Sequence, residues 1–436
     1  MIQTNLEVTQ ELIVKLIDNH KVFDIPKFNK LQDYYKGKSA ILDRQMEAGK
    51  PNNKLVANYP GYIVDMINGY AFGKPISYAS QDEQLIKAMQ DILNYNDEHA
   101  HNKELSKSMG IKGRVYELVY SDEDGNLRLA RLGAEDCIMV YDTAVNPEPS
   151  FAIRYYTISD ILTDTNIDYA EVYTRDEIIT FKGDGKTYGI TERVPHYFGI
   201  VPVIECNNNT EQLGDFEKVL SLIDAYDVAC SNKVNDLDYF SDAYLCLIGM
   251  LGTEQEDIID MKNKRVLLLD ENGQASFLIK PSNDAESENV KNRLNSDIHK
   301  FSQVADLTDK EFAGNSSGVA LSYKLLGLEN KAVDKEANFK KGLQRRFEII
   351  CNFLNTKGSN FDFRDISITF TRNKPINELE AVQIATQLKG LVSEMTVLEN
   401  IPQISDVSEE LERLEKEKDV YAGMLQTEPE DTEELL

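Results

Sequence analysis

A serine between two glycines is the first candidate for chemistry in this sequence. Gly314-Asn315-Ser316-Ser317-Gly318 has the G-x-S-x-G spacing of the turn that presents a nucleophilic serine in many hydrolases. That turn requires a buried strand before it. The residues at 308–311 are polar instead, which favours a flexible loop that caps the following helix. A serine hydrolase that uses Ser316 is therefore the weakest of the functional alternatives.

A second glycine-rich segment resembles a phosphate-binding loop. The end of that motif is matched by Gly183, Gly185, Lys186 and Thr187. Its first glycine is missing, because Thr180 stands at that position. A hairpin turn explains the segment better. Because no complete G-x-x-x-x-G-K-[ST] sequence occurs in the chain, we expect no ATPase activity, and we find no candidate catalytic residue that favours an enzyme.

Histidines and cysteines could hold a metal, but their spacing does not favour it. His99 and His101 form the only histidine cluster, and residues two apart on a helix point in different directions. Since no third ligand is apparent, we expect no metal and no cofactor. We expect the cysteines to be reduced and mostly buried, without disulfides. They are scattered, at Cys137, Cys206, Cys230, Cys246 and Cys351.

Length and composition indicate a packed protein of several domains. The chain has 436 residues, of which 42% are hydrophobic and 28% charged. This composition supports a real core, and the length predicts about three domains. The longest apolar run, at 243–251, is far shorter than the roughly 18 residues that a membrane span needs. The N-terminus has no signal-peptide pattern, so we expect a soluble intracellular product.

The net charge limits how this protein can contact nucleic acid. Forty-seven basic residues against seventy-four acidic ones leave a charge of −27. A protein that binds DNA tightly by neutralising phosphates should be basic. The composition therefore excludes tight binding over the whole surface and leaves only local contact.

One helical segment is basic within this acidic chain. Residues 331–346 contain six basic and two acidic side chains. At about 100° per residue, five of the basic ones fall within an arc of about 140°, apart from the apolar stripe of the helix. They are the candidates for contact with nucleic acid: Lys331, Lys335, Lys341, Arg345 and Arg346. The alternative is a solvated face whose cations pair with carboxylates elsewhere.

The elements that must position these residues indicate an α+β, helix-rich fold. Residues 1–110 have a helical pattern, whereas 114–204 alternate aromatic and β-branched residues as strands do. Hairpin turns are expected at Asp124-Gly125-Asn126 and at Gly183-Asp184-Gly185. A long helix is expected to begin at Asp215.

The second half of the chain is predicted to alternate helices with short strands. Asn377-x-x-Glu380 and Asp406-x-x-Glu409 resemble capping boxes and should start two helices near the C-terminus. The last dozen residues are acidic and are expected to be disordered. Before them we expect a hairpin of 265–269 with 276–279, and then a helix at 289–304. A polar loop at 307–318 should lead to a second helix at 319–354, and a strand should follow at 365–371.

A series of short motifs runs through nearly the whole chain in a fixed order. The N-terminal ones are Tyr34-Tyr35-x-Gly37, Ile41-Leu42-x-Arg44, Lys50-Pro51-Asn52-Asn53-Lys54, Asn58-Tyr59, Ile63-Val64-Asp65 and Gly69-Tyr70-x-x-Gly73-Lys74-Pro75. The later ones are Val201-Pro202-Val203-Ile204, Gly214-Asp215-Phe216-Glu217, Leu222-Ile223-Asp224-Ala225-Tyr226, Ser317-Gly318-Val319-Ala320-Leu321 and Phe370-Thr371-Arg372-Asn373. In order and spacing, from about residue 30 to 420, the chain resembles the portal proteins of tailed bacteriophages, of the siphophage type from Gram-positive hosts.

The resemblance implies a portal fold with a wing, a two-helix stem, a clip hairpin between the stem helices, a long tunnel helix and a helical crown. In this sequence the wing with its N-terminal helical region would be 1–213, followed by a stem helix at 214–250, the clip at 251–284 and a second stem helix at 285–306. The tunnel loop with the long channel helix would be 307–355, and the returning strand of the wing would be 356–376. The crown helices would be 377–424, and a disordered acidic tail would be 425–436.

The resemblance also implies partners and a location. The chain would form a homo-oligomeric ring of about twelve subunits at one capsid vertex, through which double-stranded DNA is packaged and later ejected. The partners implied are the terminase large subunit, a head-completion adaptor, and the major capsid and scaffolding proteins. No membrane is involved, and the protein would belong to the virion after assembly in the host cytoplasm. An acidic adaptor or scaffold without a channel is the main alternative.

Two groups of site residues follow from this plan. The tunnel loop would contain Asn315, Ser316, Ser317 and Gly318. The clip would present a surface to its partners, with ring neighbours burying its apolar residues. The residues of that surface are Val266, Leu268, Glu271, Asn272, Phe277 and Ile279.

Overall fold

The structure is a computed structural model that divides into two compact units. One unit comprises Met1–Leu307 with Leu325–Asn373, and the other comprises Thr308–Lys324 with Lys374–Leu436. The residues that the structure describes are 2–161, 165–184, 187–240, 244–249, 273–278, 284–307, 322–374 and 378–399, with single positions at 254, 256 and 259 and between 401 and 416.

The N-terminal region is helical, as predicted, with local signals that fix where its helices begin. The side chains of Thr9, Asn58 and Asp82 accept hydrogen bonds from the first-turn amides of the first, third and fourth helices. The helices are α1 Gln10–Asn19, α2 Ile25–Tyr35, α3 Tyr59–Phe72, α4 Glu83–Tyr95 and α5 Glu98–Lys112, with a π-helical turn at His20–Asp24 and a 3₁₀ turn at Ala40–Asp43. Two short strands interrupt the pattern, β1 Ile2–Gln3 and β2 Ser77–Ala79.

The predicted strand-rich region forms two sheets. One is six-stranded in the order β1-β5-β6-β7-β8-β9, and the other is three-stranded in the order β10-β3-β4. Both predicted hairpins are confirmed, since Tyr120 pairs with Arg128 and Gly183 pairs with Tyr188. The strands are β3 Arg114–Ser121, β4 Leu127–Leu132, β5 Cys137–Tyr141, β6 Pro149–Asp160, β7 Thr165–Tyr173, β8 Glu177–Gly183, β9 Tyr188–Pro195 and β10 Val203–Asn207.

Alternating side chains are buried on both faces of the six-stranded sheet around β5 and β6. On one face Ile13 and Ile17 of α1 pack with Val140, Ile153 and Phe181. The other face packs against the three-stranded sheet through a second cluster, which includes Tyr116, Met139, Ala152, Tyr173 and Val203. A strand with period two can bury both faces in this way only when layers cover both of its sides.

The helix expected over 214–250 is shorter than predicted. After a 3₁₀ turn at Glu217–Val219, helix α6 spans Leu220–Phe240, and residues Tyr244–Ile248 form strand β11. The sequence shows an uninterrupted apolar run there, and an apolar run can be a strand as easily as a buried helix. The end of the predicted stem helix was therefore wrong.

Strand β11 pairs with β12 Gln274–Leu278, antiparallel. A strand at 276–279 was predicted, but with 265–269 as its partner. Those residues lie outside the described part of the chain, as do Val266, Leu268, Glu271, Asn272 and Ile279 of the expected clip surface. Phe277 lies in β12, opposite Leu245.

The later helices and strand occur close to where they were predicted. Helix α7 spans Asp284–Ser302, α8 spans Leu326–Thr356, and β13 Ser367–Thr369 pairs with β2. In the second unit, α9 spans Glu378–Leu388, next to the predicted start at Asn377, and α10 spans Glu394–Glu399, where no helix start was predicted. The tunnel-loop residues Asn315, Ser316, Ser317 and Gly318, and the capping residues Asn377 and Asp406, lie outside the described residues.

Two further expectations concern membranes and thiols. Among the described helices, none combines the length and the apolarity needed to cross a bilayer. The cysteines are free, as predicted, and Cys137, Cys206 and Cys351 are buried.

One buried histidine makes the first unit sensitive to acid. His20 is 1% exposed, and its Nδ1 lies 2.7 Å from the Tyr155 hydroxyl. Burial lowers the pKa of His20 to about 4 from an ordinary value of 6.5. The unfolded chain therefore binds this proton first, and stability should fall as the pH drops from 6.5 towards 4, by about 3 kcal/mol in total. Urea unfolding of His20→Phe across this range should show a flatter pH dependence than wild type, and an equally steep one would contradict it.

Candidate functional site

The structure corrects the prediction of a DNA-facing basic arc on α8. Lys335 and Arg346 are each 1% exposed and lie against carboxylates of the core. A side chain buried in an ion pair cannot reach a phosphate, so the DNA-contact prediction is wrong for these two. The periodicity placed the cations on one side of the helix correctly, but much of that side packs inward.

Asp215 is the centre of the first charge cluster on α8. Its carboxylate accepts hydrogen bonds from Lys335 Nζ at 3.1 Å and from Asn208 Nδ2 at 3.0 Å. Lys331 Nζ lies 3.7 Å from the same carboxylate and donates to the backbone carbonyls of Asp215 and Ser302. Lys331 therefore connects α8 both to the segment that leads into α6 and to the end of α7.

Electrostatics favours the ionised form of Asp215. Burial alone would raise the pKa of Asp215, but Lys335 and Lys331 outweigh it and hold the pKa below its ordinary value. Burial lowers the pKa of Lys331, and the attraction of Asp215 offsets only part of that change. Asp215 thus contributes stability at neutral pH that is lost as the pH falls through its depressed folded-state pKa.

A glycine on α5 makes room for this ion pair. A Cβ added to Gly110 would collide with an Asp215 carboxylate oxygen and would lie 3.0 Å from Lys335 Nζ. The Asp215 amide donates to the Gly110 carbonyl at 2.6 Å. The segment before α6 is therefore hydrogen-bonded directly to the backbone of α5, at a place where there is no room for a Cβ.

Arg346 is the centre of the second cluster, which is also buried. Its guanidinium donates to Glu117 through Nε at 2.9 Å and to the Asn102 side-chain oxygen at 2.8 Å, and it lies 3.3 Å from Glu98. His101 Nε2 contacts the other Glu117 oxygen at 2.7 Å. The histidine pair considered as a metal site is therefore divided, with His101 committed to Glu117.

The charges of this second cluster stabilise one another. Burial alone would raise the pKa of Glu117, but Arg346 and His101 outweigh it and lower the pKa to about 2. Burial alone would lower the pKa of Arg346, yet Glu117 and Glu98 raise it above its usual range. The Glu117 carboxylate thus depends on the guanidinium to remain ionised in the core.

A third cluster joins α8 to the segment after β13. Arg372 donates to Glu329 through Nε at 2.9 Å and binds Glu336 with both terminal nitrogens. Tyr70 of α3 donates its hydroxyl to Glu329. Next to it, the Asn373 amide donates to the Tyr70 carbonyl at 3.0 Å. Two motifs that lie far apart in the sequence therefore meet at this point.

The remaining arc residues differ in how far they reach solvent. Lys341 is exposed, as is its neighbour Lys340. Arg345 is 20% exposed at its side chain and lies between Glu348 at 2.9 Å and Glu148 at 3.6 Å. The Lys331 side chain is 18% exposed. Contact of Lys331, Lys341 and Arg345 with DNA stays a prediction.

The acidic partners were missed by sequence reasoning. Glu98, Glu117 and Asp215 look like any other carboxylates among seventy-four acidic residues. Asp215 stood in a motif, but only as the expected start of a helix. Glu117 lies within a strand whose neighbours are apolar, and a lone charge in such a run is the one signal that could have found it.

Chemically, the charged groups of the three clusters pair with one another rather than being free to react. In the part of the chain that the structure describes, no group of three or more histidine, cysteine or acidic side chains is arranged to hold a metal ion. The arrangement fastens one long helix to the core at residues 329–336 and again at 346. These contacts resist displacement of the helix, because separating buried ion-pair partners leaves an uncompensated charge.

Comparison with known proteins gives consistent results. Residues 14–423 match the family model described as phage portal protein, SPP1 Gp6-like. The portal protein of Bacillus phage SPP1 is 26% identical, over 95% of this chain and 87% of the relative. The portal protein of Clostridium phage phiCD119 is 24% identical, over 90% of this chain and 92% of the relative. The resemblance drawn from the sequence is confirmed.

Solved structures are also similar to the chain, among them one at low sequence identity. It is described as the neck of an empty GTA particle computed with C6 symmetry. The identity is 13% and the TM-score 0.48, over 79% of this chain and 90% of that one.

Proposed function

Because the chain belongs to the SPP1 Gp6-like phage portal protein family, we propose that it assembles into a ring of about twelve subunits around a channel for double-stranded DNA. The ring occupies one vertex of the capsid, and DNA enters through it during packaging and leaves through it at ejection. The domain plan of wing, stem, clip, tunnel loop and crown is part of this proposal.

The anchoring of α8 is the observation that carries the proposal. A channel wall must keep its shape while a stiff polymer moves past it. Helix α8 has 31 residues and is held by three ion clusters to segments from distant parts of the chain. Its exposed face keeps the cations Lys340 and Lys341. A rigid helix with a solvent-facing side of this kind suits a wall element.

The charge of the chain supports passage rather than capture of DNA. Twelve copies at −27 each would carry about 320 negative charges. A surface of this sign avoids the counterion-release affinity that would hold DNA in place. Brief contact with phosphates falls to the accessible cations, of which Lys341 is the most exposed of the predicted set.

The partners proposed are those of a portal vertex. The segment at 251–284 docks the terminase large subunit during packaging and a head-completion adaptor afterwards. The major capsid and scaffolding proteins surround the ring in the assembling virion in the host cytoplasm. The position of this segment in the sequence, between α6 and α7, supports the assignment.

Electron microscopy of the purified protein tests the ring. Views along the axis should show a closed ring with a central channel, and the mass should be near twelve times 49.5 kDa. An acidic adaptor or a hydrolase would give far smaller particles. A monodisperse monomer under conditions that stabilise the fold would refute the proposal.

The energy for packaging should come from a separate motor. The sequence has no complete phosphate-binding loop, and the similar segment forms the hairpin between β8 and β9. We expect purified rings to show no ATP hydrolysis above background, as measured by phosphate release. Turnover that persists through extensive purification at a rate typical of packaging motors would overturn this.

A further inference from the structure

An extended segment before α3 lies along helix α6 and is held by side chains of that helix. We call residues 53–57 the strap. Every second amide of the strap donates to a side chain of α6, and these acceptors are four residues apart. The bonds are Ala57 N to Asp227 Oδ1 at 2.8 Å, Leu55 N to Ser231 Oγ at 2.9 Å and Asn53 N to Asn235 Oδ1 at 2.7 Å.

The two repeats match in length, which allows three bonds in succession. Four residues of an α-helix rise about 6.0 Å, and two residues of an extended chain span about 6.4–6.8 Å. The strap runs antiparallel to α6, since its residue numbers fall as those of the helix rise. The helix therefore offers the strap a row of acceptors much as the edge of a β-sheet would.

Burial makes these bonds costly to break. Asp227 and Ser231 are 0% exposed and Asn235 is 9% exposed. The second Asp227 oxygen accepts a hydrogen bond from the Ser39 hydroxyl at 2.5 Å. If the strap left, Asp227 Oδ1, Ser231 Oγ and Asn235 Oδ1 would lose their amide donors.

Side-chain hydrogen bonds of Arg44 and Asn53 hold the end of the strap that lies nearer the C-terminus of α6. Arg44 donates to the Asn53 carbonyl at 2.6 Å and to the Asn232 side-chain oxygen at 2.8 Å. Asn53 also donates its side-chain amide to Asn235 and to Asp238. The strap is thus tied to α6 at both of its ends.

The pattern of bonds determines the register between the strap and the helix. A slip by one residue would turn the bonded amides away and present those of Lys54 and Val56 instead. A slip by two residues would restore the pattern, but it would move α6 by about 6 Å along its axis. Intermediate positions leave buried acceptors without donors.

We propose that the strap determines the axial position of α6 relative to the N-terminal helices, with Ser231 and Asn235 as positioning residues. The proposal rests on the proposed function in one respect: α6 is a stem helix, so that its height sets how the stem lies against the moving DNA and the docked motor.

We call the three hydrogen bonds from the strap amides to Asp227, Ser231 and Asn235 the ladder. Amide hydrogen exchange with mass spectrometry at single-residue resolution tests the ladder on purified rings. In wild type the amides of Asn53, Leu55 and Ala57 should be protected, and those of Lys54 and Val56 should exchange faster. In Ser231→Ala/Asn235→Ala, protection of Asn53 and Leu55 should fall about ten-fold or more. Ser231→Thr keeps a hydroxyl and should preserve protection of Leu55. Asp236→Ala, at an exposed position of the same helix, should change nothing.

Phage particles assembled with the same variants test the positioning role. We expect the double variant to form rings and procapsids but to package at least about ten-fold fewer genomes, with Ser231→Thr and Asp236→Ala near wild type. Equal protection of all five strap amides would overturn the ladder, and normal packaging by a double variant that has lost protection would overturn the positioning role. A wild-type chain that supports no packaging would refute the proposed function instead, and hydrogen exchange would still decide on the ladder.

Discussion

Lys335→Glu is expected to prevent stable folding of the first unit. The new carboxylate would lie beside Asp215, whose oxygen is now 3.1 Å from Lys335 Nζ, and both side chains are 1% exposed. Two like charges buried together cannot both ionise without a large penalty. We expect a loss of more than about 4 kcal/mol of unfolding free energy, seen as insoluble protein or a much earlier urea transition.

The matched control is Lys341→Glu, which makes the same change at an exposed position of the same helix. It should alter the unfolding free energy by less than about 0.5 kcal/mol. Any effect on DNA retention should depend on salt. The slope of log affinity against log salt concentration should change by roughly one unit for each phosphate that is no longer neutralised. A Lys335→Glu protein as stable as Lys341→Glu would show that the Asp215 cluster does not hold α8.

This result changes what a charge-reversal experiment on the basic arc can show. A Lys331→Glu/Lys335→Glu protein should fail in folding before it can fail in DNA retention. Only substitutions at accessible cations separate the two effects. Lys340 and Lys341 are the appropriate pair on α8 because both are exposed.

Arg346→Met is expected to cost about 3–5 kcal/mol of unfolding free energy. The guanidinium is 1% exposed and serves Glu117 and Glu98, so that its loss leaves carboxylates in the core with too few donors. Adding Glu117→Gln to Arg346→Met should restore part of the loss, because the stranded charge disappears. Chemical unfolding of the two single variants and the double variant measures this coupling, and strictly additive losses would contradict it.

The pH dependence should change with the same substitution. In wild type the pKa of Glu117 is about 2 in the folded state, against an ordinary value of 4.5. Its contribution to stability is complete above pH 4.5 and is lost as the pH falls towards 2. Without Arg346, burial dominates and the pKa of Glu117 rises, so the variant should lose less stability in acid than wild type. A variant with an unchanged acid slope would show that Arg346 is not the cause.

Local patterns in the sequence were sufficient to predict most elements. The turns at Asp124-Gly125-Asn126 and Gly183-Asp184-Gly185 form hairpins because a short polar turn between alternating strands leaves few other pairings. The three-to-four-residue period of α8 placed its apolar stripe correctly, and Phe339, Leu343 and Phe347 are buried. The ordered series of motifs identified the family. The strand at Tyr244–Ile248 was missed, because an apolar run alone does not distinguish a strand from a helix.

What the sequence determined by itself is therefore which residues share an element and a face, and which family the chain belongs to. Tertiary structure decided what each face packs against. Arg346 finds its carboxylates 229 and 248 residues away, and Lys335 finds Asp215 120 residues away. A helical period has no information about such distant partners. Whether a lysine or arginine of α8 reaches solvent or neutralises a buried acid depends on the surface that the folded core presents to it, and that surface exists only when the core has formed.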